Sequence, residues 1–86
     1  MMYRINYLES VVVEDIPKLP KAARKQIQRA IEQRLGSDPV AFGKPLQYSL
    51  KGSRRLRVGD YRVIFVIEDT TVVVVKIGHR KEVYEQ

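Results

Sequence analysis

The fold of this chain is decided by the segment SRRLRVGDYRVIFVIEDTTVVVVKI, residues 53–77. Its apolar and β-branched residues are interrupted at two points by short polar stretches, which predicts three strands. The predicted strands are Ser53–Val58, Tyr61–Glu68 and Thr71–Ile77. Gly59-Asp60 and the sequence EDTT provide the two turns, and turns this short join neighbouring antiparallel strands. The segment is therefore predicted to form a three-strand antiparallel meander.

Arginines recur at regular positions inside these predicted strands. Side chains alternate across a strand, so Leu56 is expected on the core face, with Arg55 and Arg57 on the opposite face. By the same alternation Arg62 lies opposite the apolar residues of its own strand. Because helices can cover only one face of a sheet, these arginines are expected to line an open basic concavity that binds a phosphate backbone. The alternative is that they only keep an exposed sheet soluble.

The first half of the chain is predominantly helical. MYRINYL, residues 2–8, alternates well enough to predict a first strand. SVVVEDIPKL, residues 10–19, combines helical spacing with an internal proline, which predicts a short or bent helix. KAARKQIQRAIEQRL, residues 21–35, has the apolar stripe of an amphipathic helix that ends at Gly36. Residues 37–52 contain several prolines and glycines and are predicted to be a loop.

These elements predict one small α+β domain that spans residues 1–86. Its order is a strand, two helices and the three-strand antiparallel meander, followed by a short C-terminal segment. The helices are expected to pack on one face of a single antiparallel sheet.

The charge balance of the chain is strongly basic. Sixteen Lys and Arg stand against ten Asp and Glu, which gives a net charge of +6. This favours an anionic partner such as a nucleic acid, an acidic protein or a membrane surface, although a solvated basic surface would look the same.

The absence of cysteine excludes disulfides and thiolate chemistry, and one histidine leaves too few ligands for a transition metal, so neither a metal nor a cofactor is expected. No signal-peptide pattern and no run long enough to span a bilayer occur, so we expect a cytoplasmic protein without a membrane partner.

The segment LKGSRRLRVGDYRVIFVIEDTTVVVVKIGHRKEVY, residues 50–84, resembles the RelE branch of the RelE/ParE toxins of bacterial and archaeal toxin–antitoxin modules. The resemblance is carried by Leu-basic-Gly, a basic-Leu-Arg strand, Gly-Asp-Tyr-Arg, an apolar strand pair, and then Gly-His-Arg and Val-Tyr. It implies cleavage of messenger RNA in the ribosomal A site without a metal ion. In that reaction the 2′-hydroxyl of the RNA attacks the adjacent phosphate and leaves a cyclic phosphate and a free 5′-hydroxyl.

The resemblance also implies roles for individual residues. Arg62 matches a phosphate-binding arginine, and Arg80 matches an arginine that stabilises the transition state. Tyr84 matches a tyrosine that stacks on RNA and helps proton transfer, although it could instead anchor the C-terminal segment. Ser53 and Arg55 stand where a founding-type RelE has lysines. Arginine holds its proton too firmly to act as a general base, so Arg55 is expected to supply charge alone.

The identity of the general base is open between His79 and Lys51. A single histidine can also be incidental, and His79 is expected to contact phosphate rather than to accept the proton. The predicted catalytic residues are Arg55, Arg62, Arg80, Tyr84 and His79. The predicted RNA-binding residues are Lys51, Arg54, Arg57, Lys76 and Lys81.

Two other functions remain open at this point. One is a ParE-like inhibitor of DNA gyrase that uses the same fold without catalysis, although ParE-like tails usually lack the combination of Arg80 and Tyr84. The other is a module that has lost cleavage and acts only within a toxin–antitoxin repressor complex. The implied partners are a cognate acidic antitoxin, the ribosome with its messenger RNA, and, through the antitoxin of a hetero-oligomer, operator DNA.

Overall fold

A computed structural model of the chain describes residues 2–46 and 52–83. The strands are β1 (Arg4–Tyr7), β2 (Lys44–Pro45), β3 (Arg54–Val58), β4 (Tyr61–Glu68) and β5 (Thr71–His79). The helical segments are a π-helical turn (Val11–Asp15), a 3-10 turn (Ile16–Lys18), helix α1 (Lys21–Ala30), a second π-helical turn (Ile31–Leu35) and the one-turn helix α2 (Pro39–Phe42). In the part of the chain that the structure describes, no helix has the length and apolarity needed to cross a membrane.

The predicted meander is confirmed. β3, β4 and β5 are consecutive antiparallel neighbours, and β5 continues two residues beyond its predicted end, to His79. Both turns contain a residue in the left-handed region, Gly59 with φ 59° and Asp69 with φ 55°. Glycine and aspartate tolerate this conformation better than most residues, which explains why these sequences end one strand and begin the next.

The sheet is mixed rather than antiparallel, which corrects the prediction. Its order is β1-β5-β4-β3-β2, and β1 pairs in parallel with β5, from Arg4 opposite Thr71 to Tyr7 opposite Val74. Residues 8–70 separate β1 from β5, so the connection is long enough for the last strand to lie beside the first in the same direction. β2 was also missed, because it lies in the predicted loop and pairs only two residues with β3 at the sheet edge.

The predicted short or bent helix after β1 is confirmed as the Val11–Asp15 turn followed by the Ile16–Lys18 turn, which contains the proline. The amphipathic helix is also confirmed. α1 begins at Lys21, the first residue of the predicted helix, and continues through the Ile31–Leu35 turn.

The core lies between these helical segments and one face of the sheet. The sheet contributes large apolar side chains from three central strands, and the helices contribute the apolar stripe predicted from the sequence. Buried residues of this cluster include Leu56, Val63, Phe65, Val72, Val74, Ala23, Ile27, Ile31 and Leu35. The opposite face of the meander is therefore the face on which the arginines were predicted.

Candidate functional site

The meander carries a row of basic residues on the face away from the helices. In the strand register Arg57 lies opposite Arg62, and Arg62 lies opposite Gly78. Arg55, two residues before Arg57 on β3, shares this face. The register therefore places two guanidinium side chains beside each other on this face, which suits an anionic ligand.

Arg62 is buried rather than exposed, which corrects the prediction of a fully open face. Only 5% of the residue is accessible to solvent. Its Nη1 donates hydrogen bonds to the carbonyl oxygens of Gly59 (3.2 Å) and Tyr61 (3.0 Å) in the β3–β4 turn. Val83, itself buried, packs over Gly78, where a Cβ atom would lie 2.8 Å from a Val83 methyl group. Residues 80–83, which follow β5, thus fold back onto the arginine face, and Val83 covers the part of that face around Gly78.

Arg80 lies at the same corner of the sheet. Its backbone N–H donates to the carbonyl of Asp60 (2.8 Å), which fixes the residue beside the β3–β4 turn that also holds the Arg62 guanidinium. The Arg80 side chain is 58% exposed, and its Nε lies 4.0 Å from the Asp60 carboxylate. We name Arg57, Arg62 and Arg80 the arginine corner. It combines one buried guanidinium with two that reach solvent.

The His79 ring does not lie in the arginine corner. β5 includes His79 opposite Tyr61, and alternation directs both side chains to the helix-covered face. The two rings meet edge to face with centroids 5.5 Å apart. The backbone N–H of Lys81 donates to Nδ1 of His79 (3.1 Å), so the neutral ring carries its proton on Nε2. The structure therefore separates His79 from Arg57 and Arg62.

Lys76 is engaged with a buried carboxylate that the sequence analysis did not single out. Its Nζ lies 3.1 Å from Oδ1 of Asp15, whose other oxygen accepts the backbone N–H of Ile77 at 3.0 Å. β1 ends at Tyr7, opposite Val74, so Asp15 takes over as acceptor along the next part of the β5 edge. The sequence offers no clear signal for this role, because Asp15 directly follows a second acidic residue, Glu14, which is exposed.

The remaining predicted site residues differ in their contacts and in their exposure to solvent. Arg54 donates to the carbonyls of Val40 (3.2 Å) and Gly43 (3.1 Å) and thereby ties β3 to the segment around α2. Arg57 and Lys81 are exposed, Arg55 is half-buried and Ser53 is buried. Lys51 and Tyr84 lie outside the described residues.

The described side chains of the arginine corner are cations rather than acid–base groups or metal ligands. Within residues 2–46 and 52–83, no group of three or more His, Asp or Glu side chains is placed to hold a metal ion. Among the described residues, a pKa shift is found away from the corner: burial raises the pKa of the Tyr7 phenol, and the Glu32 carboxylate raises it further. The corner itself offers positive charge and hydrogen-bond donors, which suit a phosphate and the charge that develops on it.

Comparisons with known proteins agree with the fold. The family model described as the ParE toxin of the type II toxin–antitoxin system parDE matches residues 3–84. Toxin RelG of Mycobacterium tuberculosis is 34% identical over 74 residues, which cover 84% of this chain and 85% of that protein. The crystal structure of the toxin–antitoxin complex RelBE2 from the same organism superposes with a TM-score of 0.86 at 30% identity and covers 93% of each chain. The isolated E. coli RelE toxin shares the fold, with a TM-score of 0.72 at 18% identity, over 90% of this chain and 83% of that one.

The chain therefore belongs to the RelE/ParE superfamily of toxins. Its named relatives and the solved structures place it more closely: it is a RelE-family toxin of a type II toxin–antitoxin system.

Proposed function

We propose that this toxin is a ribosome-dependent endoribonuclease that cleaves messenger RNA in the ribosomal A site and so inhibits translation. The observation that carries the proposal is the arginine corner, in which Arg62 and Arg80 are both held at the β3–β4 turn. Its family membership and its RelE and RelG relatives support the same activity.

The proposed cleavage is an intramolecular attack within the RNA, which the toxin assists. The 2′-oxygen attacks the neighbouring phosphorus, the bond from phosphorus to the 5′-oxygen breaks, and a cyclic phosphate and a 5′-hydroxyl result. Negative charge develops on the phosphate oxygens, and the guanidinium groups of Arg62 and Arg80 stabilise it. Arg62 is buried and fixed by two carbonyls, so it needs little reorganisation, whereas exposed Arg80 can close on the bound phosphate.

The proposal does not assign proton abstraction to His79, because its ring lies on the face away from Arg57 and Arg62. Lys51 is the other candidate acceptor, and Tyr84 is proposed to stack on the RNA and to help protonate the leaving oxygen. Because the corner itself holds charge rather than a base, the ribosome is proposed to orient the 2′-hydroxyl for in-line attack.

Arg80→Ala tests the proposal. The side chain is exposed and supports no core packing, so the melting temperature should stay unchanged while cleavage of ribosome-bound messenger falls by roughly two to three orders of magnitude. Arg4→Ala is the matched control, since Arg4 is an exposed arginine on β1 at the far edge of the same sheet. It should cleave like the wild type.

Each variant is assayed on one messenger with and without programmed ribosomes. Cleavage that is as fast without ribosomes would overturn ribosome dependence, and equal cleavage by the Arg80 and Arg4 variants would remove the arginine corner from the reaction.

Inhibition of DNA gyrase is the second candidate, because the family model that matches residues 3–84 is the one for ParE toxin. A supercoiling assay beside a translation assay separates the two functions. Inhibited supercoiling with unaffected translation would establish the gyrase function. A folded toxin that affects neither would be the non-cleaving module of a repressor complex.

We also propose a cognate acidic antitoxin as the partner of this chain. The solved structures similar to it include RelB–RelE complexes, and its net charge of +6 favours an acidic partner. Operator DNA would then be bound through the antitoxin.

A further inference from the structure

A small cleft at the outer side of β3 combines one aromatic ring with several cations. It has a volume of about 120 Å³ and is lined by Arg34, Phe42, Lys44, Arg55, Leu56 and Arg57. Four of these residues are cationic and none is acidic. Phe42 is 49% exposed, so about half of it remains in contact with water.

The Phe42 ring is presented by a firmly held piece of backbone. Helix α2 is capped by Asp38, whose carboxylate accepts the N–H of Ala41 at 3.1 Å. Gly43 follows directly and lies so close to the Phe65 ring that a Cβ atom there would overlap it. Arg54 binds the carbonyl oxygens of Val40 and Gly43. The position of Phe42 is thus determined before any ligand arrives.

The cleft is continuous with the arginine corner. Arg55 and Arg57 line the cleft and also lie on the arginine face, where Arg57 is directly opposite Arg62. On its other side the cleft meets a larger groove of about 480 Å³ between α1 and β3, which shares Arg34 and Arg57 and adds Lys25 and Arg29. A polyanion bound at the corner can therefore continue past Phe42 along further cationic side chains.

We propose that this cleft holds an unstacked base of single-stranded RNA, with Phe42 as the stacking surface and Arg34 and Lys44 as contacts to the flanking phosphates. An aromatic face among cations is the combination by which proteins bind single-stranded nucleic acid without reading its sequence. A helix of a protein partner is about 10 Å across and does not fit a cleft of this volume. The choice of RNA as the polyanion rests on the proposed ribonuclease function.

The test uses the toxin alone and a short, fluorescently labelled oligoribonucleotide with 2′-O-methyl groups, which cannot be cleaved by 2′-hydroxyl attack. Phe42→Ala should weaken binding by roughly 5- to 150-fold, the range for loss of one stacked base. Phe42→Trp should bind at least as tightly as the wild type. Val40→Ala is the matched control, because Val40 is 56% exposed on the same one-turn helix and does not line the cleft. It should leave binding unchanged.

Salt dependence separates stacking from charge. Arg34→Gln should reduce the slope of log K against log salt by about 0.7, the value for one phosphate contact on a single strand. Phe42→Ala should lower affinity at every salt concentration without changing that slope. Melting temperatures of all variants are measured in parallel, so that a folding defect is recognised.

Equal binding by the Phe42→Ala and Val40→Ala variants overturns the proposal. The proposal is also overturned if the toxin binds polyglutamate in a Phe42-dependent way but does not bind RNA in that way. That result would identify a protein-binding cleft. Failure of the ribonuclease function would be seen separately, as intact Phe42-dependent RNA binding by a toxin that does not cleave messenger on ribosomes.

Discussion

Arg62 shows at the scale of one residue how a charged group can be built into a small sheet. A buried guanidinium requires hydrogen-bond acceptors, and the carbonyl oxygens of Gly59 and Tyr61 supply two of them within its own turn. Its position is therefore determined by the same turn that joins β3 to β4. Arg80 is anchored by its backbone N–H, and its side chain lies 58% exposed at 4.0 Å from the Asp60 carboxylate. The proposed roles follow from this difference: Arg62 is a fixed cation, and Arg80 moves onto the bound phosphate.

Tyr7 provides a prediction about pH. Its pKa is raised in the folded protein, so the unfolded chain loses the phenolic proton first as the pH rises. Its contribution to stability is fully present below the unfolded pKa of about 10 and is lost as the pH rises from there through the folded pKa. The free energy of unfolding of the wild type should therefore fall more steeply above about pH 10 than that of Tyr7→Phe. Urea denaturation across this range measures the difference.

Glu32→Gln refines the measurement. Burial is the larger cause of the Tyr7 shift, so this variant should keep most of the extra pH dependence. Identical curves for the wild type and Tyr7→Phe would show that the phenol ionises equally in both states.

Strand alternation was sufficient to predict that Arg55, Arg57 and Arg62 share one face. It was not sufficient to predict the burial of Arg62 or the return of Val83 over Gly78 on the same face, since neither has a periodic signal. His79 was misplaced for a related reason. With β5 expected to end at Ile77, the histidine belonged to a free tail, whereas the longer strand directs its ring to the helix side.

At the scale of elements, the Val11–Asp15 turn and β5 are joined through one carboxylate. Asp15 is 6% exposed and accepts the N–H of Ile77 together with the Lys76 ammonium. Asp15→Ala should lower the free energy of unfolding by about 1–3 kcal/mol, since it leaves a buried donor without its acceptor. Lys76→Ala should cost at most about 1 kcal/mol, because its side chain is 51% exposed and the ion pair is screened by solvent.

Urea denaturation of both variants checks this order. A larger loss of unfolding free energy for the Lys76 variant than for the Asp15 variant would contradict this. It would show that the Lys76–Asp15 ion pair, rather than the hydrogen bond from Ile77 N–H to Asp15, connects the two elements.

The elements that were predicted correctly are those with a repeating pattern, such as the apolar stripe of α1 and the three strands of the meander. β2 has only two paired residues, too few to create a period. The parallel direction of β1 was also beyond prediction, because alternation reads the same in either direction of a strand.

At the scale of the whole molecule, the excess of positive charge leads to a prediction about how the toxin responds to an acidic antitoxin. We expect the antitoxin to be the acidic product of a reading frame next to that of the toxin. Added in excess over its dissociation constant, this protein should raise the melting temperature of the toxin and inhibit messenger cleavage. A hundredfold excess corresponds to about 2.7 kcal/mol of added stability. Differential scanning fluorimetry and the ribosome assay measure the two effects.

Polyglutamate at the same charge concentration is the control. Its effect should vanish at high salt, where exposed charges are screened, while a specific antitoxin keeps its effect. An acidic neighbour that causes neither a thermal shift nor inhibition would not be the antitoxin.

The parallel pairing of β1 with β5 also has a consequence for folding. Residues 4–7 meet residues 71–74, so this pairing closes almost the longest loop in the chain, whereas tight turns connect β3, β4 and β5. Contacts between distant residues form late, because loop-closure entropy opposes them until other contacts are in place. We therefore expect the meander to assemble first and β1 to join last. During that interval the backbone edge of β5 at Val72 and Val74 is open to any extended chain, so a newly made toxin is most prone to aggregation before its first strand docks.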